Sequence, residues 1–236
     1  MPRPCPRSAY CFAIAVALAC STLPAGGQPT AISGTLTLVE NGSDKSDKEV
    51  RHALVWFEPH STERPRPKPT PPAEPYQIAM VRKAFQPRVL AVPVGSEVAF
   101  PNGDAILHNV FSLDRSNRFD LGLYRRGESK SVTFDAAGIV EVFCNVHHSM
   151  VAHVVVLDTP FFARVGADGR FRLDGLPPGP GRLHAWHERS DPLGVDVVVP
   201  ADGSIDLRLE ITKPKVPPHR NKFGKPYSRK RRGKAY

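Results

Sequence analysis

Cysteine is scarce in this chain, long apolar runs are missing, and no stretch sustains the 3.6-residue period of an amphipathic helix. Four cysteines in 236 residues are too few for a disulfide scaffold. The longest apolar run, Tyr10 to Ala19, falls short of the roughly 20 residues that a membrane span needs. The 25 prolines and 18 glycines are scattered through the whole sequence, which excludes a helix bundle. A basic excess is missing from the body of the protein despite a net charge of +9. Ten of the 32 Lys and Arg lie from Lys213 onward with no acid among them, which leaves 22 basic against 23 acidic residues elsewhere. A basic globular surface for nucleic acid is therefore not indicated.

What is present starts with an export pattern. Arg3 and Arg7 precede YCFAIAVALA, and small residues follow at Ala19 and Ala25-Gly26-Gly27. That is the charged, apolar, small-residue order of a secretory signal, taken here as residues 1–25, and it implies a periplasmic protein. Ala17-Leu18-Ala19-Cys20 resembles a lipobox with its leucine one place out of register. Cleavage near Ala25 would remove Cys5, Cys11 and Cys20 and leave Cys144 alone. A lone thiol in an oxidising compartment is a liability unless it is buried or bound. This is the first pointer to a metal.

Apolar residues make up 41% of the chain, enough for a packed core. Residues 31–58 read as two strands, ISGTLTLV and VRHALVWFEP, around a polar loop. Residues 59–75 are Pro-rich and charged, an exposed linker. Residues 76–158 hold a run of β-like segments, among them RVLAVPVGSEVAF, KSVTFD, GIVEVF and MVAHVVVL. Residues 159–212 are again β, with Asp168-Gly169 as a hairpin signal. Residues 213–236 are basic and poor in apolar groups and are expected to be disordered. The fold class is all-β.

The chemistry sits in Cys144-Asn145-Val146-His147-His148-Ser149-Met150, between the strand-like GIVEVF and MVAHVVVL. A thiolate, an imidazole and a thioether lie within seven residues, and His108 lies upstream in FPNGDAILHNVFS. Two imidazoles and a thiolate in a trigonal plane, with a long axial thioether, define a blue-copper electron-transfer site. Soft sulfur suits Cu(I) and imidazole nitrogen suits Cu(II), so a fixed cage of both limits rearrangement between the two states. A nitrogen-rich copper or zinc site built from His108 with His147, His148 or His153 is the competing set; it leaves Cys144 and Met150 without a role.

These residues resemble the cupredoxins, the family of amicyanin, pseudoazurin and plastocyanin. The short Cys-x2-His-x2-Met loop is similar to that of amicyanin and pseudoazurin, and VPVGSEVAFPNGD followed by His108-Asn109 fits upstream. The resemblance covers residues 76–158 and implies a Greek-key β-sandwich holding one type 1 copper ion. His108, Cys144 and His147 become its equatorial ligands, Met150 its axial ligand, and Asn109 the residue that ties the two ligand loops together. His148 stands where amicyanin-like loops commonly have proline.

A second resemblance covers the flanks. Ala167-Asp168-Gly169-Arg170-Phe171, Leu176-Pro177-Pro178-Gly179 and the alternating Val197 to Leu209 look like the second half of a carboxypeptidase regulatory-like (transthyretin-like) β-sandwich. Its first two strands would be those in 31–58, so the copper unit would be inserted into one split sandwich. The alternative assigns 31–58 to the cupredoxin as extra strands. His184, Trp186, His187 and Glu188 form a cluster read either as a second metal or contact site or as a strand end with its Trp in the core.

The combination resembles plastocyanin-like and methylamine-utilisation proteins. It implies an exported electron carrier that meets protein redox partners transiently. The alternatives are a copper carrier or storage protein, and a surface-binding module, for which carbohydrate is a fold analogy. No nucleophile–base arrangement and no surplus copper ligands point to an enzyme. The basic tail offers contact with a membrane surface or an acidic partner.

Overall fold

The computed structural model of the chain describes residues 30–45, 47–60 and 70–227. The expected signal segment, residues 61–69 of the Pro-rich stretch and residues 228–236 of the tail lie outside them. Among the described residues nearly everything ordered is strand, and the one helical turn is α1 (Asp47–Val50). No helix among them is long and apolar enough to cross a membrane.

The first strands are β1 (Ile32–Glu40), β2 (Ser43–Asp44) and β3 (Leu54–Pro59). In β1, Ile32, Gly34, Leu36 and Leu38 are buried while the residues between them are partly exposed, the period-2 signature of a half-buried strand. Gly34 is required by close packing: a Cβ there would lie 2.1 Å from the Ile205 carbonyl oxygen and 2.5 Å from the Phe171 ring.

The middle of the chain supplies ten strands: β4 (Tyr76–Gln77), β5 (Ala79–Val81), β6 (Ala84–Gln86), β7 (Val89–Pro93), β8 (Ser96–Pro101), β9 (His108–Ser112), β10 (Phe119–Tyr124), β11 (Ser129–Phe134), β12 (Gly138–Phe143) and β13 (Val151–Leu157). One sheet has the order β10-β9-β12-β13-β7, the other β11-β8-β4, and β5 and β6 form a separate hairpin. Between the sheets lies a core that includes Ile78, Met80, Val98, Phe100, Tyr124 and Phe134. Cys144 and Met150 belong to the same core. Strands β12 and β13 pair antiparallel from Gly138↔Val156 to Phe143↔Val151, which leaves residues 144–150 as the loop at one end of the sandwich.

The last strands are β14 (Phe162–Arg164), β15 (Arg170–Leu173), β16 (Gly179–Trp186), β17 (Leu193–Val199) and β18 (Ile205–Glu210). They pair with the first ones. The order of one sheet is β15-β1-β18, with β2 beside β1, and that of the other is β14-β3-β16-β17. A single core of Ile32, Leu36, Leu38, Val55 and Phe57 with Phe171, Leu173, Leu183, Leu207 and Leu209 fills the space between them. The chain thus leaves this sheet pair after β3, builds the ten middle strands, and returns to it at β14.

The two sheet pairs pack against each other. Leu54, Trp56 and Trp186 from β3 and β16 meet Val89 and Ala91 of β7 and Val155 and Leu157 of β13. All seven residues of β13 are buried in consequence. Its even-numbered positions face the core that holds Cys144 and Met150, and Val155 and Leu157 face the second sheet pair. At the edge of this contact Glu188 accepts a hydrogen bond from Arg88 Nε at 2.5 Å. It lies 3.1 Å from His52 Nδ1 and 3.6 Å from His153 Nδ1.

The tail differs from the expected disorder. Lys213 donates its backbone N–H to the Arg189 carbonyl at 3.0 Å and its ammonium group lies 2.8 Å from Asp191. Lys215 pairs with Glu49 at 2.9 Å. Val216 packs on the cluster of Phe111, Phe143 and Val151. Composition reads this segment as a solvated charge run; what orders residues 213–227 is acids and aromatic rings from distant parts of the chain.

Candidate metal centre

The loop 144–150 begins where β12 ends and returns at β13. Two backbone hydrogen bonds close it: Cys144 N to Met150 O at 3.3 Å, and Met150 N to His147 O at 3.0 Å. Cys144 and His108 are fully buried and Met150 nearly so, while His147 is half-buried and His148 exposed. Cys144 carries no disulfide.

His108 opens β9, and its ring lies over the loop. Cys144 Sγ is 3.6 Å from His108 Nδ1 and 3.8 Å from His147 Nδ1, and the two Nδ1 atoms are 3.2 Å apart. Three donor atoms therefore form a triangle whose edges suit bonds of about 2.0–2.3 Å to a shared ion. Burial, then the neighbouring His108 and the Lys83 charge, push the His147 imidazole down from its ordinary range, so the neutral, ligating form prevails at neutral pH. Met150 closes the loop through its backbone and packs in the same core as Cys144.

A carboxylate sets the orientation of His108. Its Nε2 lies 2.9 Å from Asp104 Oδ2. With the proton on Nε2, the lone pair of Nδ1 faces the thiol and the other imidazole. Asp104 also accepts the backbone N–H groups of Arg82 at 2.6 Å and Lys83 at 2.8 Å. Those two residues take positive φ, 54° and 57°, at the tip of the β5–β6 hairpin. Burial alone would raise the Asp104 carboxyl, but the bonds from Lys83, His108 and Arg82 outweigh it and hold the group below its usual range. Asn102 organises the approach, accepting the Asp104 N–H at 2.9 Å and donating Nδ2 to the Ile106 and Tyr124 carbonyls at 3.0 and 3.1 Å. Neither Asp104 nor Asn102 figured among the candidate site residues. The signal available was Asn102-Gly103-Asp104, a turn with an acid four residues before a histidine.

Asn109 departs from its expected role. Its Nδ2 donates to Asp120 Oδ1 at 2.7 Å and to the Gly122 carbonyl at 2.9 Å, both on β10 rather than on the Cys144 loop. The irregular β9–β10 register between Asp120 and Leu123 brings those acceptors to it. His153 stands far from the triangle in role and place: it is buried beside Glu188, with its ring 5.5 Å edge-on from Trp186.

The family comparison bears on this segment. Residues 77–157 match the model of copper binding proteins of the plastocyanin/azurin family. Residues 77–157 form a cupredoxin domain. Members of that family are copper-binding electron carriers, and copper is the cofactor of this domain. Solved structures similar to the chain include a Cu(I) amicyanin variant, at 23% identity over 35% of this chain and 82% of that one, with a TM-score of 0.34. Another is a purple cupredoxin from Nitrosopumilus maritimus, at 24% identity over 35% of this chain and 99% of that one, with a TM-score of 0.32. No curated protein matches the chain. The donor set of the cupredoxin domain fits copper: one cysteine sulfur and two imidazole nitrogens converge, with a thioether on the same loop.

A second group able to hold an ion is His52, His187 and Glu188. Here the carboxylate is already neutralised by Arg88 and hydrogen-bonded to His52. His187 Nδ1 lies 3.2 Å from the Arg189 backbone N–H, which makes it the acceptor. The arrangement is an ion-pair network at the contact between the sheet pairs, with Trp186 in the core beside it.

Proposed function

We propose that the chain is an exported electron carrier that cycles one copper ion between Cu(II) and Cu(I), bound by His108, Cys144, His147 and Met150. The observation that carries the reading is the convergence of Cys144 Sγ and two imidazole Nδ1 atoms within 3.2–3.8 Å of one another in a buried pocket. Bound copper supplies one-electron exchange at little structural cost. The protein's part is to hold the donors still. Asp104 fixes the His108 tautomer, the core excludes water from the Cys144 thiolate, and the β12–β13 hairpin sets the spacing of the loop.

His147 is the most exposed of the three equatorial donors and is the route for the electron. Exposed Val146 beside it and exposed Ile106 and Leu107 before His108 supply apolar surface for a transient redox partner. Such encounters use small interfaces. Arg3, Arg7 and the apolar run after them support export to the periplasm. The basic end of the chain suits an acidic partner or an anionic membrane surface. The second sheet pair is a split, carboxypeptidase regulatory-like sandwich that carries the cupredoxin domain as an insert. The reading is of a carrier rather than an enzyme, in keeping with the electron carriers of the family that residues 77–157 match.

A storage or shuttle protein, the second reading, would offer an exposed and exchangeable metal. The full burial of Cys144 and His108 favours the redox site. Loading the mature protein with Cu(II) tests both. An intense thiolate-to-copper visible band that Cys144→Ser abolishes is expected, with reversible reduction and no loss of Cu(I) to a chelator. A colourless complex overturns the site, and release of the ion on reduction overturns the electron-carrier role.

A further inference from the structure

The C-terminal segment crosses the outside of the ligand loop. In that loop the candidate ligands face inward, and three neighbours that are not ligands face the tail. The Phe143 ring, just before Cys144, stacks on His219 at 4.0 Å with the planes 6° apart. The Asn145 side-chain oxygen, just after Cys144, accepts the Lys222 backbone N–H at 3.1 Å. The His148 ring, just after His147, lies 3.5 Å from the Tyr227 ring. Each residue flanking a ligand on this side thus carries a contact from the tail.

The segment is itself folded into a compact turn. Asn221 Oδ1 accepts the N–H groups of Phe223 and Lys225 at 3.0 and 3.1 Å, and Asn221 N donates to the Lys225 carbonyl at 2.9 Å. Gly224 takes a φ of 74° inside it, a conformation that glycine adopts without strain. The turn sets His219 and Tyr227 side by side, their rings 5.4 Å apart and edge-on.

Lys222 links the two halves of the site. Its backbone holds Asn145 of the Cys144 loop, and its ammonium group lies 2.7 Å from Asp120 Oδ2. The other oxygen of that carboxylate accepts Asn109 Nδ2, and Asn109 follows His108. The connection between the two ligand loops that Asn109 does not make directly runs through Asp120 and Lys222.

We propose that residues 216–227 are a clamp that positions the copper ligand loop, with His219, Lys222 and Tyr227 as positioning residues. The proposal rests on the assignment of Cys144 and His147 as ligands. A loop pinned at three points loses less freedom when it takes up an ion, and it rearranges less when the ion changes charge. Outer contacts of this kind typically change metal affinity by about 10–100-fold when removed.

The test compares four proteins: the mature chain, a chain ending at residue 227, a chain ending at residue 215, and His219→Ala/Tyr227→Ala in the full chain. The chain ending at 227 should match the mature protein. The chain ending at 215 and the double variant should bind copper about 10–100-fold more weakly and show a shifted thiolate-to-copper band and reduction potential. In the metal-free proteins the backbone amides of 144–150 should exchange at least about tenfold faster, while the strand amides keep their protection. Unchanged affinity, spectrum, potential and loop exchange in the double variant overturns the clamp. A mature protein without the thiolate band would instead sink the ligand assignment, and the exchange of the metal-free loop would still decide whether the tail restrains it.

Discussion

His108 Nε2 and Asp104 Oδ2 lie 2.9 Å apart, and this contact decides which nitrogen of His108 faces the thiol. Asp104→Ala should therefore weaken Cu(II) binding by about 10–100-fold, the usual effect of losing a partner of a ligating histidine. Asp104→Asn, which keeps an acceptor without the charge, should lose less. Competition titrations against a chelator of known affinity read both. Equal binding by the wild type and Asp104→Ala would refute the orienting role.

Metal binding should stabilise the fold because the unfolded chain holds no formed triangle of donors. Zn(II), which has no redox chemistry, is the simplest probe. At a free concentration a hundredfold above its dissociation constant it should add about 2.7 kcal/mol to the unfolding free energy. Cys144→Ser and His108→Ala should lose most of that gain. Urea unfolding with and without Zn(II) measures it.

Stability should fall in mild acid. Burial, opposed by the Glu188 charge, pushes His153 and His187 down to about 4. Their unfolded forms titrate near 6.5. Between those values the unfolded chain takes up protons that the folded protein refuses, so stability is full above about pH 6.5 and declines toward pH 4. Each histidine contributes a slope of about 1.4 kcal/mol per pH unit within that window. His153→Gln and His187→Gln should each flatten the profile. A flat profile for the wild type between pH 6.5 and 4 would contradict the assignment.

The contact between the sheet pairs should behave as core. Trp186 is 3% exposed and packs against Val155 and Leu157 of β13. Trp186→Ala should cost about 3–5 kcal/mol by chemical denaturation. Val155→Asp should be at least as damaging, because it places an unpaired carboxylate between two apolar faces. A loss under 1 kcal/mol for either would mean that the faces are solvated in solution.

Much of this molecule follows from local pattern. Alternation in ISGTLTLV and IDLRLE marks strands because a half-buried strand buries every second residue. The Cys144-x2-His147-x2-Met150 spacing marks a metal loop because so short a turn directs its side chains toward one point. Other features were illegible for a physical reason. The seven consecutive buried residues of β13 carry no alternation, since one face meets the cupredoxin core and the other meets a second sheet. The partner of Asn109 is not legible in the sequence because an irregular β9–β10 register, not sequence distance, brings Asp120 to it.

The sequence by itself determined the all-β class and the copper chemistry, because those depend on side-chain type and short-range spacing. Tertiary structure decided between the two readings of residues 31–58, because β1 and β3 share sheets with strands more than a hundred residues later. It also decided that Asp104 orients His108 and that residues 213–227 lie ordered against the protein rather than trailing from it. Those outcomes rest on contacts between segments distant in the chain, and composition carries no record of which acid, ring or sheet edge a segment will meet.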